Sequence, residues 1–311
     1  MAFIYPLLPT NFYQRIKEAF GNEGEAWLAE LPEACANLCR DWKLTLAPLQ
    51  PELSYNFVRR VIREDQSLAI LKIGIHKVGH LREVNSLIQF KGQGAVRILE
   101  VDSNRCAYLM EDISPGLELK TLFDSGHDED ATRICAAVIQ NLQANSKMTP
   151  NNLYKPIAAL AGDFDNYLAN TALTGIPPKD VHEAKNIFEN LLQTTTAEIL
   201  LHGDLHHQNI LASKERHWLA IDPKGFIGDP CFEIGAFMRN PAPQIADAVS
   251  LSSLLEKRVL IFSKELGFSP TRIIDWSYAQ AILAGVWASL DHGKGWQPWY
   301  QVARALNELR S

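Results

Sequence analysis

The spacing of apolar residues changes once along this 311-residue chain, and that change limits the fold more than any other feature. Between residues 56 and 113 the apolar residues come in short runs. "NFVRRVI" (56–62) and "SLAILKIGI" (67–75) flank the turn-like "REDQ" and predict a hairpin, and "AVRILEV" (95–101) and "CAYLMEDI" (106–113) predict two further strands joined by "DSNR". Only 80–90 in this region has helical spacing, through Leu81, Val84, Leu87 and Ile88. Past "SPGLEL" (114–119) long helical patterns take over at about 129–146, 156–170 and 178–195, and again from Pro230 onward. Ahead of the strands, residues 24–42 place Trp27, Leu28, Leu31, Cys35, Leu38 and Cys39 on one helical face, with Pro32 expected at a first turn or a kink. The plan is α+β: a small strand-rich lobe over 1–112 and a larger, mainly helical lobe over 113–311, with a cleft expected between them.

Charge and cysteine content narrow the function. The net charge of −6 divides as −1 over residues 1–112 and −5 over the remainder. That disfavours a nucleic-acid binder, which carries a basic stripe, and is compatible with a cationic small molecule. No apolar run reaches membrane-spanning length, and the opening "MAFIYPLLPTNFYQ" has neither the basic nor the apolar region of a signal peptide. Five scattered cysteines fit no disulfide framework, so a cytoplasmic location is expected.

The chemistry concentrates in "HGDLHHQNIL" (202–211). Its histidines lack the H-E-x-x-H pattern of a zinc helix, and neither a G-x-S-x-G elbow nor a G-x-x-x-x-G-K-[ST] loop occurs in the chain. Phosphoryl transfer needs a lysine for the phosphates, an acid to hold that lysine, an aspartate for the attacking hydroxyl, and oxygen ligands for a divalent cation. Lys72 lies inside an apolar strand, where a lone charge would be costly, and Glu83 on the following helix is the candidate counter-ion. Asp204 and Asn209 stand five apart in the loop, and Asp222 ends the apolar run "HWLAID".

"HGDLHHQNIL" resembles the H-G-D-x-x-x-x-N catalytic loop of the aminoglycoside phosphotransferases. "GQGAVRILEVDSNRCAYLMEDISPGLEL" (92–119) and "IDPKGFIGDPCFEIGAFMRNP" (221–241) resemble the streptomycin kinase and hydroxyurea phosphotransferase branch, and the likeness runs from about residue 20 to 300. The resemblance implies a two-lobed protein-kinase-like fold and transfer of the γ-phosphoryl group of Mg-ATP to a small-molecule hydroxyl, such as one on streptomycin or hydroxyurea. A sugar amine or amino-alcohol acceptor, or a nucleotide-binding protein without catalysis, remains the alternative. It further implies Asp204 as catalytic base, Asn209 and Asp222 as magnesium ligands, Lys72 on the ATP phosphates with Glu83 as its partner, and Met110, Glu111 and Ile113 as the adenine hinge. His202 would brace the loop.

Three departures stand out. Residues 51–62 lack the glycines of a kinase phosphate loop, His207 and Gln208 replace the family's Pro-Gly or Pro-Glu, and Glu233 stands where aspartate is frequent. Trp276, Trp287, Trp296 and Trp299 are expected as core or helix-packing residues, with a ligand cage as the alternative. For Lys224, contact with a phosphate or neutralisation of the local carboxylates on one side, and plain solvent exposure on the other, are equally open. For Asp291, so are an acceptor-facing and a surface position.

Overall fold

A computed structural model describes residues 8–48, 53, 55–146, 153–173 and 175–310. Most of the opening segment and residues 51, 52 and 54 of the glycine-poor stretch lie outside them. The chain divides into two compact units, residues up to Ile88 with Val96–Ile113, and Gln89–Ala95 with Ser114 onward.

The first unit is a helix-backed antiparallel sheet. Its elements are α1 (Thr10–Asp41), β1 (Thr45–Leu46), β2 (Phe57–Ile62), β3 (Leu68–Ile73), α2 (Lys77–Phe90), β4 (Ile98–Asp102) and β5 (Ala107–Glu111). The strand order is β1-β2-β3-β5-β4. The expected hairpin pairs Phe57 with Ile73 and Ile62 with Leu68. Strand alternation sends Ala69, Leu71 and Ile73 into a core that α1 completes with Phe12, Ile16, Leu28, Leu31, Cys35 and Leu38. Lys72 therefore points to the opposite face. The break in α1 falls at Gly21, with φ 52° and ψ −132°, and not at Pro32, which the helix carries in its interior. The broken helix folds back closely enough that a Cβ on Gly24 would stand 2.7 Å from the Ile16 carbonyl.

The second unit contains β6 (Pro115–Glu118), α3 (Lys120–Asp124), α4 (Asp128–Gln143), β7 (Lys155–Pro156), α5 (Ala161–Ala169), α6 (Pro178–Gln193), β8 (Ile199–Leu201), β9 (Ile210–Ser213), β10 (His217–Ala220), β11 (Phe226–Gly228), α7 (Ile234–Met238), α8 (Leu251–Leu266), α9 (Pro270–His292) and α10 (Gln297–Leu309). Its centre is aromatic: the fully buried Trp276 meets Phe188 and Phe232 edge-on at 5.1 and 5.2 Å. Two small sheets, β10-β9-β6 and β7-β11-β8, carry the functional segments. No helix among the described residues is long and apolar enough to cross a membrane.

An ion pair with one fully buried partner fixes the second unit near residues 202–209. Arg258 of α8 is fully buried and grips Asp128 of α4 with two bonds of 2.9 and 2.6 Å. Its third nitrogen donates to the Phe237 and Asn240 carbonyls at 2.9 and 2.8 Å, and its plane lies 4.6 Å from the Phe237 ring. Removing Arg258 leaves the partly buried Asp128 carboxylate and two carbonyls without their donor. Arg258→Ala is expected to cost about 3–5 kcal/mol in urea unfolding, and a loss within experimental error of zero would show that the pair is not structural.

Candidate active site

In the first unit, β3 and β5 run antiparallel with Lys72 opposite Tyr108. Lys72 is 3% exposed, and its Nζ donates to Glu83 Oε1 at 2.6 Å. The Tyr108 hydroxyl donates to the same oxygen at 2.6 Å. α2 delivers Glu83 because Val84, Leu87 and Phe90 bury the adjoining face of that helix. The lysine and glutamate singled out in the sequence are thus joined, and Tyr108 is a third member that the sequence reading missed. Met110 and Ile113 are buried, and the Glu111 amide donates to the Arg97 carbonyl at 3.1 Å.

In the second unit, two segments run side by side between the two small sheets. Residues 202–209 leave β8 and enter β9. Residues 221–225 leave β10 and enter β11. β9 pairs with β10, and β8 with β11, so both segments are clamped at both ends. The ladders extend into them: Ile221 N–H donates to the Asn209 carbonyl at 2.9 Å, and Lys224 N–H to the His202 carbonyl at 2.7 Å. Asn209 and Asp222 consequently emerge at the same end of the β9–β10 hairpin.

The loop itself is held from within. Glu233, 3% exposed, accepts the His202 amide at 2.7 Å and the Gly203 amide at 2.8 Å. Residue 203 is a glycine with φ +81°, which side chains rarely adopt, and a Cβ there would stand 2.4 Å from the Phe226 ring. His202 is fully buried and its pKa is pushed down to about 4, burial being the main cause. The ring is therefore neutral, with Nε2 donating to the Ile221 carbonyl at 2.7 Å and Nδ1 accepting the Asp204 amide at 3.3 Å. His207, where the family's loop has proline, is also fully buried, stacked 3.9 Å from Phe237 with its Nε2 3.3 Å from Arg258. The departure from the usual motif exchanges a rigid proline for a ring anchored to α7 and α8.

Asp204 faces three basic side chains. Its Oδ2 lies 3.7 Å from Lys224 Nζ and 3.9 Å from His206 Nε2, and its Oδ1 lies 3.9 Å from Arg239 Nη2. Burial acts to raise this carboxyl, but the charges of His206, Lys224 and Arg239 outweigh it and hold it below its ordinary value. Asn209 donates Nδ2 to the Asp204 carbonyl at 2.9 Å, which turns its Oδ1 away from that contact. Asp222 holds φ at +61°, a conformation that costs a non-glycine residue about 1–2 kcal/mol. Such strain persists only where the surroundings enforce it. An amide oxygen and a carboxylate on one hairpin end suit a hard divalent cation, since magnesium fills the rest of its shell with water and phosphate oxygens.

Beside Asp204 opens a pocket of about 540 Å³, within the range of small-molecule sites. One face of α9, through Ala284, Trp287, Ala288 and Asp291, forms a wall, and Trp299, Phe226, Lys224 and Arg239 contribute the rest. Trp287 and Trp299 are therefore pocket residues, contrary to the expectation of four core or helix-packing tryptophans; Trp276 alone is fully buried. Asp163 fixes the Trp287 indole by accepting its Nε1–H at 2.8 Å. Asp291 faces the pocket, and Lys224 faces both the pocket and Asp204.

A buried lysine–glutamate pair beside a sheet, and an H-G-D loop whose aspartate opens on a ligand-sized pocket, define a small-molecule kinase of protein-kinase-like fold. Residues 44–292 match the model of the aminoglycoside/hydroxyurea antibiotic resistance kinases, and the chain belongs to that family. Streptomycin 6-kinase of Streptomyces glaucescens is 26% identical over 294 residues, 90% of either chain. Streptomycin 3″-kinase of Klebsiella pneumoniae is 31% identical over 211 residues, 65% of this chain and 73% of that one. Among solved structures, an aminoglycoside phosphotransferase mutant in ternary complex with ADP and hygromycin B superposes with a TM-score of 0.60 at 12% identity, covering 87% of this chain and 97% of that one.

Burial pushes the Glu233 carboxyl up to about 7, against the two amides that draw it down, with Asp204 adding to the rise. Unfolded Glu233 ionises near its ordinary value while the folded group keeps its proton up to about pH 7, so stability falls as pH rises through that window and is flat above it. The contribution amounts to about 3 kcal/mol. Urea unfolding between pH 4.5 and 8 is expected to show this fall in the wild type relative to Glu233→Gln, which cannot ionise. Parallel pH profiles for the two proteins would contradict the assignment.

Proposed function

We propose that the chain transfers the γ-phosphoryl group of ATP to a hydroxyl of an aminoglycoside, streptomycin foremost, or of hydroxyurea. The observation that carries this reading is Asp204, a carboxylate kept ionised by its neighbours and opening on the pocket walled by Trp287, Trp299 and Asp291. Asp204 orients the acceptor hydroxyl and receives its proton. Asn209 and Asp222 hold Mg²⁺, which when bound neutralises charge on the phosphate oxygens. In the first unit Lys72, fixed by Glu83 and Tyr108, meets the ATP phosphates. Adenine pairs with backbone groups of the Met110–Ile113 segment. The Glu111 amide is already given to Arg97, so its contact falls on the carbonyl, and Ile113 supplies the second.

The acceptor assignment draws on the activities for which the two streptomycin kinases are named and on the pocket's own chemistry. Indole faces and a carboxylate suit a cationic molecule. The net charge of −5 over residues 113–311 works in the same direction over a longer range.

Purified protein with Mg-ATP is expected to release ADP with streptomycin or hydroxyurea and to lose this activity in Asp204→Ala. Release with a sugar amine or amino-alcohol alone would move the substrate. Nucleotide binding without release for any acceptor would leave a binding protein. Asp222→Ala is expected to weaken magnesium-dependent ATP binding at least tenfold more than Asp204→Ala; equal binding by the two variants would remove Asp222 from the metal site.

A further inference from the structure

Arg239 is built into the pocket in a way that packing does not require. It caps α7, is 7% exposed, and among the described residues its side chain makes one hydrogen bond, Nη1 to Gln280 Oε1 at 3.1 Å. Gln280 is 4% exposed and fixed in turn by donating Nε2 to the Phe232 carbonyl at 2.7 Å. The Gln280 amide can sit there because residue 235 is glycine: a Cβ at that position would lie 2.2 Å from its nitrogen. A glycine and a buried amide thus hold a guanidinium at the pocket wall with Nη2 3.9 Å from Asp204 Oδ1.

That distance is the informative one. It is too long for a hydrogen bond, so among the described residues no carboxylate bonds the buried guanidinium directly. It is also the separation that one oxygen can bridge. An atom at ordinary hydrogen-bond distance from both groups, about 2.7 Å from Oδ1 and about 2.9 Å from Nη2, subtends close to a right angle between them. Such an oxygen donates to the carboxylate and accepts from the guanidinium at once, as a hydroxyl can and a carbonyl cannot.

We propose that Arg239 is a catalytic residue: its Nη2–H donates to the acceptor hydroxyl oxygen while Asp204 accepts that hydroxyl's proton. The inference rests on the phosphotransfer reading above. As the O–H bond breaks, the proton passes to Asp204 Oδ1. The oxygen's electron pair forms the new O–P bond, the bond from phosphorus to the bridging oxygen of ADP breaks, and its electron pair leaves with ADP. Arg239 offsets the negative charge that gathers on the attacking oxygen. Gln280, which touches no substrate, is a positioning residue for Arg239.

Arg239→Ala, Arg239→Gln and Gln280→Met are compared with wild type for streptomycin phosphorylation and, in parallel, for the slow hydrolysis of ATP in which water takes the acceptor's place. Arg239→Ala is expected to lose about 10²–10³-fold in kcat, with KM for ATP changed less than threefold. Guanidinium chloride at tens of millimolar is expected to recover at least tenfold of that loss, where sodium chloride at equal ionic strength does not. Gln280→Met is expected to lose about tenfold without rescue. The inference is overturned by kcat in Arg239→Ala within threefold of wild type, or by a loss that guanidinium does not relieve. If Arg239→Ala does not fold, kcat in Arg239→Gln within threefold of wild type overturns it equally. Wild type that hydrolyses ATP but ignores streptomycin sinks the acceptor assignment alone, and Arg239 is then judged on hydrolysis. Wild type inactive with both removes the phosphotransfer reading and this inference with it.

Discussion

One carboxylate taking two consecutive backbone amides sets the shape of the candidate catalytic segment. Successive amides do not ordinarily point at one acceptor. They do so at His202 and Gly203, and the chain then turns at Gly203 with φ +81°, where Phe226 occupies the space a Cβ would need. Glu233 is buried to make those two bonds, and its burial raises its own pKa. The interaction is expensive in electrostatic terms and cheap in conformational ones. It places Asp204, the next residue, without spending Asp204's own side chain on support. The same logic recurs at His202, whose neutral ring donates to one strand end and accepts the Asp204 amide.

The two clamped segments extend that economy. Asn209 ends one and Asp222 lies in the other, and they are neighbours because β9 and β10 are paired. Neither residue has to be placed by a long-range side-chain contact. His207 supplies the remaining restraint: its ring is stacked on Phe237 and backed by Arg258, which is tied to Asp128. A loop lacking the family's proline is thereby kept stiff by burial. Backbone ladders fix where the donors emerge, and buried side chains fix how much they can move.

Much of this was readable from local pattern. Alternation around Lys72 put it opposite Ala69, Leu71 and Ile73, and a buried lysine required a partner, which pointed to Glu83 one helix later. The cluster in "HGDLHHQNIL" drew attention through residue types alone. What stayed hidden depends on contacts distant in sequence. Tyr108 reads as an ordinary strand aromatic until β5 pairs with β3. Arg239 reads as the last polar residue of a helix until Gln280 arrives from 41 residues away. The tryptophans misled for a related reason: α9 is apolar on nearly all sides, so the face of Trp287 that lines the pocket has no distinguishing period. Pro32 misled differently. A helix can carry a proline at the cost of one backbone bond, whereas Gly21 reaches a φ of 52° that breaks the helix outright.

The charges around the pocket are unevenly arranged, and the unevenness has a consequence for orientation. Lys224 and Arg239 stand within 4 Å of Asp204, while Asp291, on the α9 wall, forms an ion pair with neither. A molecule carrying both cationic groups and hydroxyls would be sorted by that arrangement. Its positive groups are repelled from the Asp204 end and drawn toward Asp291 and the indole faces, which leaves a hydroxyl as the group best tolerated beside Asp204. The same basic side chains that lower the proton affinity of Asp204 would then exclude the wrong part of the acceptor from it. On the proposed reading Asp204 would contribute chiefly by orienting the hydroxyl. A carboxylate held below its ordinary pKa is a weak base, and in phosphoryl transfer positioning and charge stabilisation account for most of the rate.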